Sequence, residues 1–154
     1  MADIQIYTDG AARGNPGKGG YGIVMLSGQH RKELSQAFRM TTNNRMELLA
    51  VIVALEQLKA GQHTVSIYSD SKYVVDAFEK RWIQGWVKKN WLNVKNTDLW
   101  QRLIPLQQRY KPRFIWVKGH ASNPLNNRCD ELATAAADNG PWLIDQVYEQ
   151  LIKL

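Results

Sequence analysis

The chain reads as a mixed α/β protein in which one sheet is covered by helices, and three observations point there. Three strand-like runs, at residues 4–7, 21–26 and 31–39, follow one another through short turns. After them, helical and strand-like patterns alternate to the end of the chain. Between the two blocks lies residues 43–59, whose middle (Leu48-Leu49-Ala50-Val51-Ile52-Val53-Ala54-Leu55) is apolar on every side. A helix of that kind must be covered nearly all round, and hairpins followed by alternating elements give a mixed sheet with helices on it.

Each element has its own signals. Residues 4–7 alternate and form a strand; residues 10–22 are glycine-dense, with Asn15-Pro16-Gly17 as a turn. Ser27-Gly28-Gln29-His30 is a hairpin turn between the second and third strands. The central helix over 43–59 ends at Gly61, a suitable C-terminal cap. Residues 65–69 form a fourth strand, followed by short helices over 71–79 and 80–88 and a loop over 90–96. Residues 97–110 are amphipathic, with Leu99, Leu103 and Leu106 on one side and a kink expected at Pro105. Residues 113–117 are the fifth strand. Asn123-Pro124 then starts a helix running to about residue 138, with Asn as cap and Pro in the first turn. The tail, 142–154, has the spacing of a last helix. No repeat or linker interrupts the 154 residues, so a single domain over 1–154 is expected.

Composition narrows the class. The lone Cys129 allows no internal disulfide and reads as a packing residue. No apolar run approaches a membrane span, and Met1-Ala2-Asp3 lacks the features of a signal peptide. A cytoplasmic protein with no membrane partner is expected. The net charge of +6 favours a polyanionic partner.

Four acidic residues stand where apolar segments meet polar, turn-forming ones. Asp9 and Asp70 end strands, Glu47 opens the central helix, and Asp130 lies early in the helix after Pro124. Ligands of open α/β sheets gather at the carboxyl ends of strands. Carboxylates brought together there raise one another's pKa unless a cation neutralises them, and hard divalent ions such as Mg2+ take oxygen ligands. A carboxylate-lined metal site follows. Residues 80–91 interleave bases with indoles: Lys80, Arg81, Lys88 and Lys89 with Trp82, Trp86 and Trp91. Lysines attract phosphates and flat rings stack on sugars or bases. Trp82 and Trp86 are four apart, on one helix face, and ordinary core packing accounts for them equally well.

The ordered segments closely resemble those of type I, bacterial-type ribonuclease H. They are Tyr7-Thr8-Asp9-Gly10, Gly14-Asn15-Pro16-Gly17, Gly19-Gly20-Tyr21-Gly22, Thr42-Asn43-Asn44-Arg45-Met46-Glu47-Leu48 and Ser69-Asp70-Ser71 with Tyr73-Val74. Next come Lys95-Asn96 with Asp98-Leu99-Trp100, then Trp116-Val117-Lys118-Gly119-His120, and Asn126 with Arg128-Cys129-Asp130-Glu131-Leu132-Ala133. The resemblance implies a ribonuclease H-like fold with a five-stranded mixed sheet and helices on both faces. The activity it implies is endonucleolytic hydrolysis of the RNA strand of an RNA–DNA hybrid, with Mg2+ or Mn2+, two ions per active site. By position, Asp9, Glu47, Asp70 and Asp130 are the metal-binding and catalytic carboxylates, with Asp9 the bridging ligand. His120 is the family histidine, a proton carrier near neutral pH.

Telling RNA from DNA requires contact with the 2′-hydroxyl, for which Asn15, Asn43 and Asn44 are the right kind of group; Asn43 and Asn44 can also cap the helix. The resemblance assigns Trp82, Trp86, Lys88 and Lys89 to a basic handle gripping the DNA strand. It assigns Thr42 and Asn96 to a pocket for a DNA phosphate. The chain departs from the family pattern at Lys72, which puts a positive charge beside the site and so counts as a substrate contact, and at Ala12. The handle loop is short, and the tail from Pro141 has no counterpart in the pattern. A monomer is expected. Two rival classes are a hybrid-binding module, which would have lost a carboxylate, and another nuclease, such as an exonuclease with Asp-x-Glu on its first strand. Here all four carboxylates stand, and the tripeptide is Asp9-Gly10-Ala11.

Overall fold

The computed structural model describes residues 2–119 and 122–153. Among them are six strands and six helices, in the order β1 (Ala2–Ala12), β2 (Gly17–Ser27), β3 (His30–Thr41), α1 (Asn43–Glu56), β4 (His63–Ser69), α2 (Lys72–Glu79), α3 (Trp82–Lys88), α4 (Thr97–Tyr110), β5 (Arg113–Trp116), α5 (Pro124–Asn139), β6 (Trp142–Leu143) and α6 (Gln146–Ile152). The sheet runs β5-β4-β1-β2-β3-β6. β1–β2 and β2–β3 are antiparallel, whereas β4 lies parallel to β1 and β5 parallel to β4.

Alternation along β2 divides the two faces. Tyr21, Ile23 and Met25 join the main core, with Ile4, Ile6 and the buried body of α1. Gly20 and Gly22 face α5 instead, so closely that a Cβ on Gly22 would stand 2.2 Å from the Cys129 carbonyl oxygen. The second face is thus packed on bare backbone, with Cys129, Ala133 and Ala137 fully buried there. Gly22→Ala should cost about 3 kcal/mol by overpacking, read as a lower urea midpoint at unchanged slope.

α1 is buried along nearly its whole length, as its apolar sequence demands. α4 closes over it, with Trp100 fully buried and its indole N–H donating to the Tyr73 hydroxyl (3.0 Å). α4 continues through Pro105 to Tyr110, and α5 is capped by Asn123, whose side chain accepts from the Asn126 N–H.

Four expectations need correction. The sheet has six strands, not five, because the tail is not one helix. Trp142 and Leu143 pair in parallel with Ala37 and Phe38 on the otherwise open edge of β3, and only then does Asp145 cap α6. An aromatic and a large aliphatic residue suit such a half-covered edge. The first two strands run further than the expected 4–7 and 21–26, into the glycine-dense stretch: ladder pairs continue from Asp9↔Gly22 to Ala12↔Gly19, with residues 13–16 as the turn. Gly61 does not cap α1. That helix ends at Glu56 with Gln57 as its cap, and the Leu58 carbonyl is taken by the Tyr110 hydroxyl (3.1 Å). The cap at the other end is Thr42, which accepts from the Arg45 N–H, rather than Asn43 or Asn44.

Candidate active site

The register of the sheet explains how distant carboxylates meet. Thr8 lies opposite Ser69, the last residue of the parallel strand β4, so Asp70 stands beside Asp9 where that pairing stops. Asp9 does not end its strand as expected, because β1 continues to Ala12 against β2. Gly10 supplies the third member. A Cβ there would stand 2.4 Å from the Glu47 backbone nitrogen, so only glycine lets the first turn of α1 lie against β1. One carboxylate oxygen each from Asp9, Glu47 and Asp70 falls within 4.8 Å of the others. Asp130 approaches from α5 and borders the same open cavity, of ≈ 650 Å3, without entering that tight set.

This cluster is buried and electrostatically frustrated. Asp9 is 5% and Glu47 7% exposed. Burial pushes Asp9 up to about 7; hydrogen bonds with Glu47 and from the Gly10 N–H pull it down, and the charges of Asp70 and Asp130 push it further up. Glu47 is raised well above the usual carboxylate range, first by burial and then by the charge of Asp9. Its Oε2 is buried and has no hydrogen-bond partner among the described residues. Buried polar atoms normally find partners, so an orphaned oxygen amid crowded carboxylates fits a bound cation. The donor set is all oxygen, as hard divalent ions require. Divalent-metal use fits these residues.

Arg45 anchors the first turn of α1, two residues before Glu47. It is 2% exposed. Its guanidinium donates to both oxygens of Asp98 (2.8 and 2.7 Å) and both oxygens of Asp145 (2.7 and 3.0 Å). Thr41 Oγ1 also donates to Asp145 (2.7 Å). The sequence reading assigned Arg45 no role. The available signal was a lone arginine at the head of an apolar helix, which burial would force to find carboxylates.

The other site candidates divide into groups. Asn43, Asn44 and Lys72 border the carboxylate cavity. Lys72 Nζ sits 4.7 Å from the centre of the Trp116 ring. A second cavity, of ≈ 530 Å3, shares Asn44 and gathers Asn15, Thr42 and Asn96. The Asn15 carboxamide oxygen accepts from the Asn43 N–H (2.9 Å), and Asn96 donates to the Tyr73 hydroxyl (3.0 Å). Trp82, Trp86, Lys88 and Lys89 border neither cavity. The two indoles part company: Trp82 is 40% exposed, while Trp86 packs on Trp100, 5.1 Å between ring centres. Core packing therefore accounts for Trp86, and Trp82 is left at the surface. His120 lies outside the described residues.

The family model for RNase H matches residues 1–138. The chain belongs to the RNase H family. It is a type I, bacterial-type RNase H. A protein named Ribonuclease H from Desulforamulus reducens is 56% identical over 142 residues, 89% of each chain. Among solved structures, LC9-RNase H1, described as a type 1 RNase H with the type 2 active-site motif, superposes with a TM-score of 0.82 at 27% identity. That match covers all of this chain and 82% of the other. LC11-RNase H1, solved in complex with an RNA/DNA hybrid, superposes with a TM-score of 0.66 at 28% identity, covering 88% and 96%. The family model stops at residue 138, before the tail, whereas the LC9-RNase H1 superposition covers the whole chain.

Proposed function

We propose that this RNase H is an endonuclease that hydrolyses the RNA strand of RNA–DNA hybrids with two Mg2+ ions, Mn2+ being a substitute, leaving 5′-phosphate and 3′-hydroxyl ends with little sequence preference. The observation that carries the reading is the convergence of Asp9, Glu47 and Asp70 on one buried point, with Asp130 on the same cavity wall. The hybrid bound to LC11-RNase H1 supports the substrate. Asp9, Glu47, Asp70 and Asp130 would hold the ions, which supply an activated water, charge relief on the phosphoryl oxygens and a stabilised leaving oxygen.

The chain's own groups position the substrate. The Asn43 and Asn44 side chains stand at the cavity rim, where carboxamides can exchange hydrogen bonds with a ribose 2′-hydroxyl. Lys72, steadied by the Trp116 ring, meets a phosphate beside the cut. Asn15, Thr42 and Asn96 face the second strand. Trp82, Lys88 and Lys89 grip it farther along, and His120 carries protons. Contacts of this kind read sugar and phosphate rather than base sequence.

Labelled RNA–DNA hybrid, double-stranded RNA and double-stranded DNA, each with and without Mg2+, test the reading. Internal cuts are expected in the RNA of the hybrid alone, and only with metal. Hybrid binding without cutting would favour the binding-module alternative. Binding should also weaken steeply as salt rises, through counterion release; a flat response would reject the basic grip.

A further inference from the structure

The second cavity has one wall that no sequence motif supplies. Asn15, Thr42, Asn44, Val94, Lys95 and Asn96 line it, together with Tyr148 and Leu151 of α6. Both α6 residues lie beyond the stretch that matches the family, 1–138. We infer that α6 belongs to the substrate surface, with Tyr148 and Leu151 forming an apolar wall against which the sugar–phosphate backbone of the DNA strand is seated. This rests on the hybrid-cleaving activity proposed above.

Rigidity is the first support. Asp145, the cap of α6, is buried and held by Arg45 and Thr41. Arg39 clamps Glu149 through two hydrogen bonds of 2.9 Å. The Arg45 guanidinium lies 5.9 Å from the centre of the Tyr148 ring. α6 is thus tied to β3 and to the first turn of α1, the turn that carries Asn44.

Charge is the second. Glu149 of α6 and its cap Asp145 are both neutralised by arginines, and among the described residues lining the cavity the only charged side chain is Lys95. Neutral amides, one cation and a carbon wall match a sugar–phosphate, whose phosphate wants donors and whose sugar offers C–H. The wall favours deoxyribose. A ribose 2′-hydroxyl pressed on carbon would lose its water and gain no partner.

Leu151 is 56% exposed, so it can be changed without disturbing the core, and charge at this site gives opposite signs. In steady-state cleavage of a short hybrid, Leu151→Asp should raise KM about fivefold by repelling phosphate, and Leu151→Lys should lower it about threefold. Tyr148→Ala should raise KM about threefold, with Tyr148→Phe restoring most of it. In all four, kcat at saturating hybrid should stay within about twofold, because none touches the reacting phosphate. Ile152→Asp places the same charge one residue away, at a side chain that does not line the cavity. Its KM should move less than about twofold. Equal effects at residues 151 and 152, or no effect at 151 and 148, would overturn the assignment while the wild-type activity still stood. Absence of hybrid cleavage by the wild type would instead overturn the activity, and this inference with it.

Discussion

Asp9→Asn protein is expected to lose hybrid cleavage by on the order of 10^3-fold or more, about 4 kcal/mol of transition-state stabilisation, while still binding hybrid. Asp9 stands at the convergence of the carboxylates, whereas the proposed binding groups are spread over α1, the second cavity and the surface around α3. The same substitution should stabilise the metal-free protein at neutral pH. Burial pushes the folded-state Asp9 carboxyl up to about 7 from its usual value near 3.8. A group raised on folding favours the folded state fully below its unfolded value, and that contribution is lost as pH rises through the folded value. Metal-free wild type should therefore weaken between about pH 4 and pH 7, by roughly 2–4 kcal/mol from Asp9. In EDTA at pH 8, Asp9→Asn should melt roughly 5–10 °C higher than wild type, the gap closing toward pH 4. Mg2+ should raise the wild-type Tm and leave that of the variant nearly unmoved. Retained cleavage by Asp9→Asn, or a Tm gap independent of pH, would contradict the arrangement.

Arg45→Met should be among the most destabilising single changes, costing about 3–5 kcal/mol. It leaves Asp145, 9% exposed, and half-buried Asp98 without the cation that both share. Because Arg45 and Glu47 share one helical turn, the variant should also lose cleavage beyond its loss of folded protein. Chemical denaturation gives the first quantity. Activity per folded molecule, measured well below the melting temperature, gives the second. Changing Arg45, Asp98 and Asp145 together to well-packed apolar residues should recover much of the stability, because the burial cost disappears along with the charges.

The pattern of the chain was enough to identify most of the architecture, for physical reasons. α1 is apolar all round, so burial was unavoidable. α4 and α5 carry a clear apolar stripe and a clear cap. The carboxylates were legible because each stands where an apolar run meets a polar, turn-forming one, although Asp9 lies inside β1 and only Asp70 directly follows the end of a strand. What escaped was set by long-range partners. Residues 142–143 became a strand because β3 offered an open edge, which no local spacing announces. The strand extensions into residues 10–20 were not legible because glycine weakens strand propensity. Here its missing side chain serves the approach of α1 at Gly10 and of α5 at Gly20 and Gly22. Trp82 and Trp86 share helical spacing, yet only Trp86 meets Trp100, and that depends on where α4 crosses. Tyr148 and Leu151 carry no motif, and only the seat of Asp145 on Arg45 brings them to a cavity.

The pairing of β1 with β4 also sets when reactivity can arise. Thr8 finds Ser69 only after the intervening hairpins and α1 have been synthesised, and Asp130 is later still. A ribosome-bound chain carrying just the first three strands and α1 holds Asp9 and Glu47 but lacks the remaining acids. Such a fragment cannot assemble the carboxylate cluster, so hybrid cleavage has to wait until the distant halves of the chain have docked.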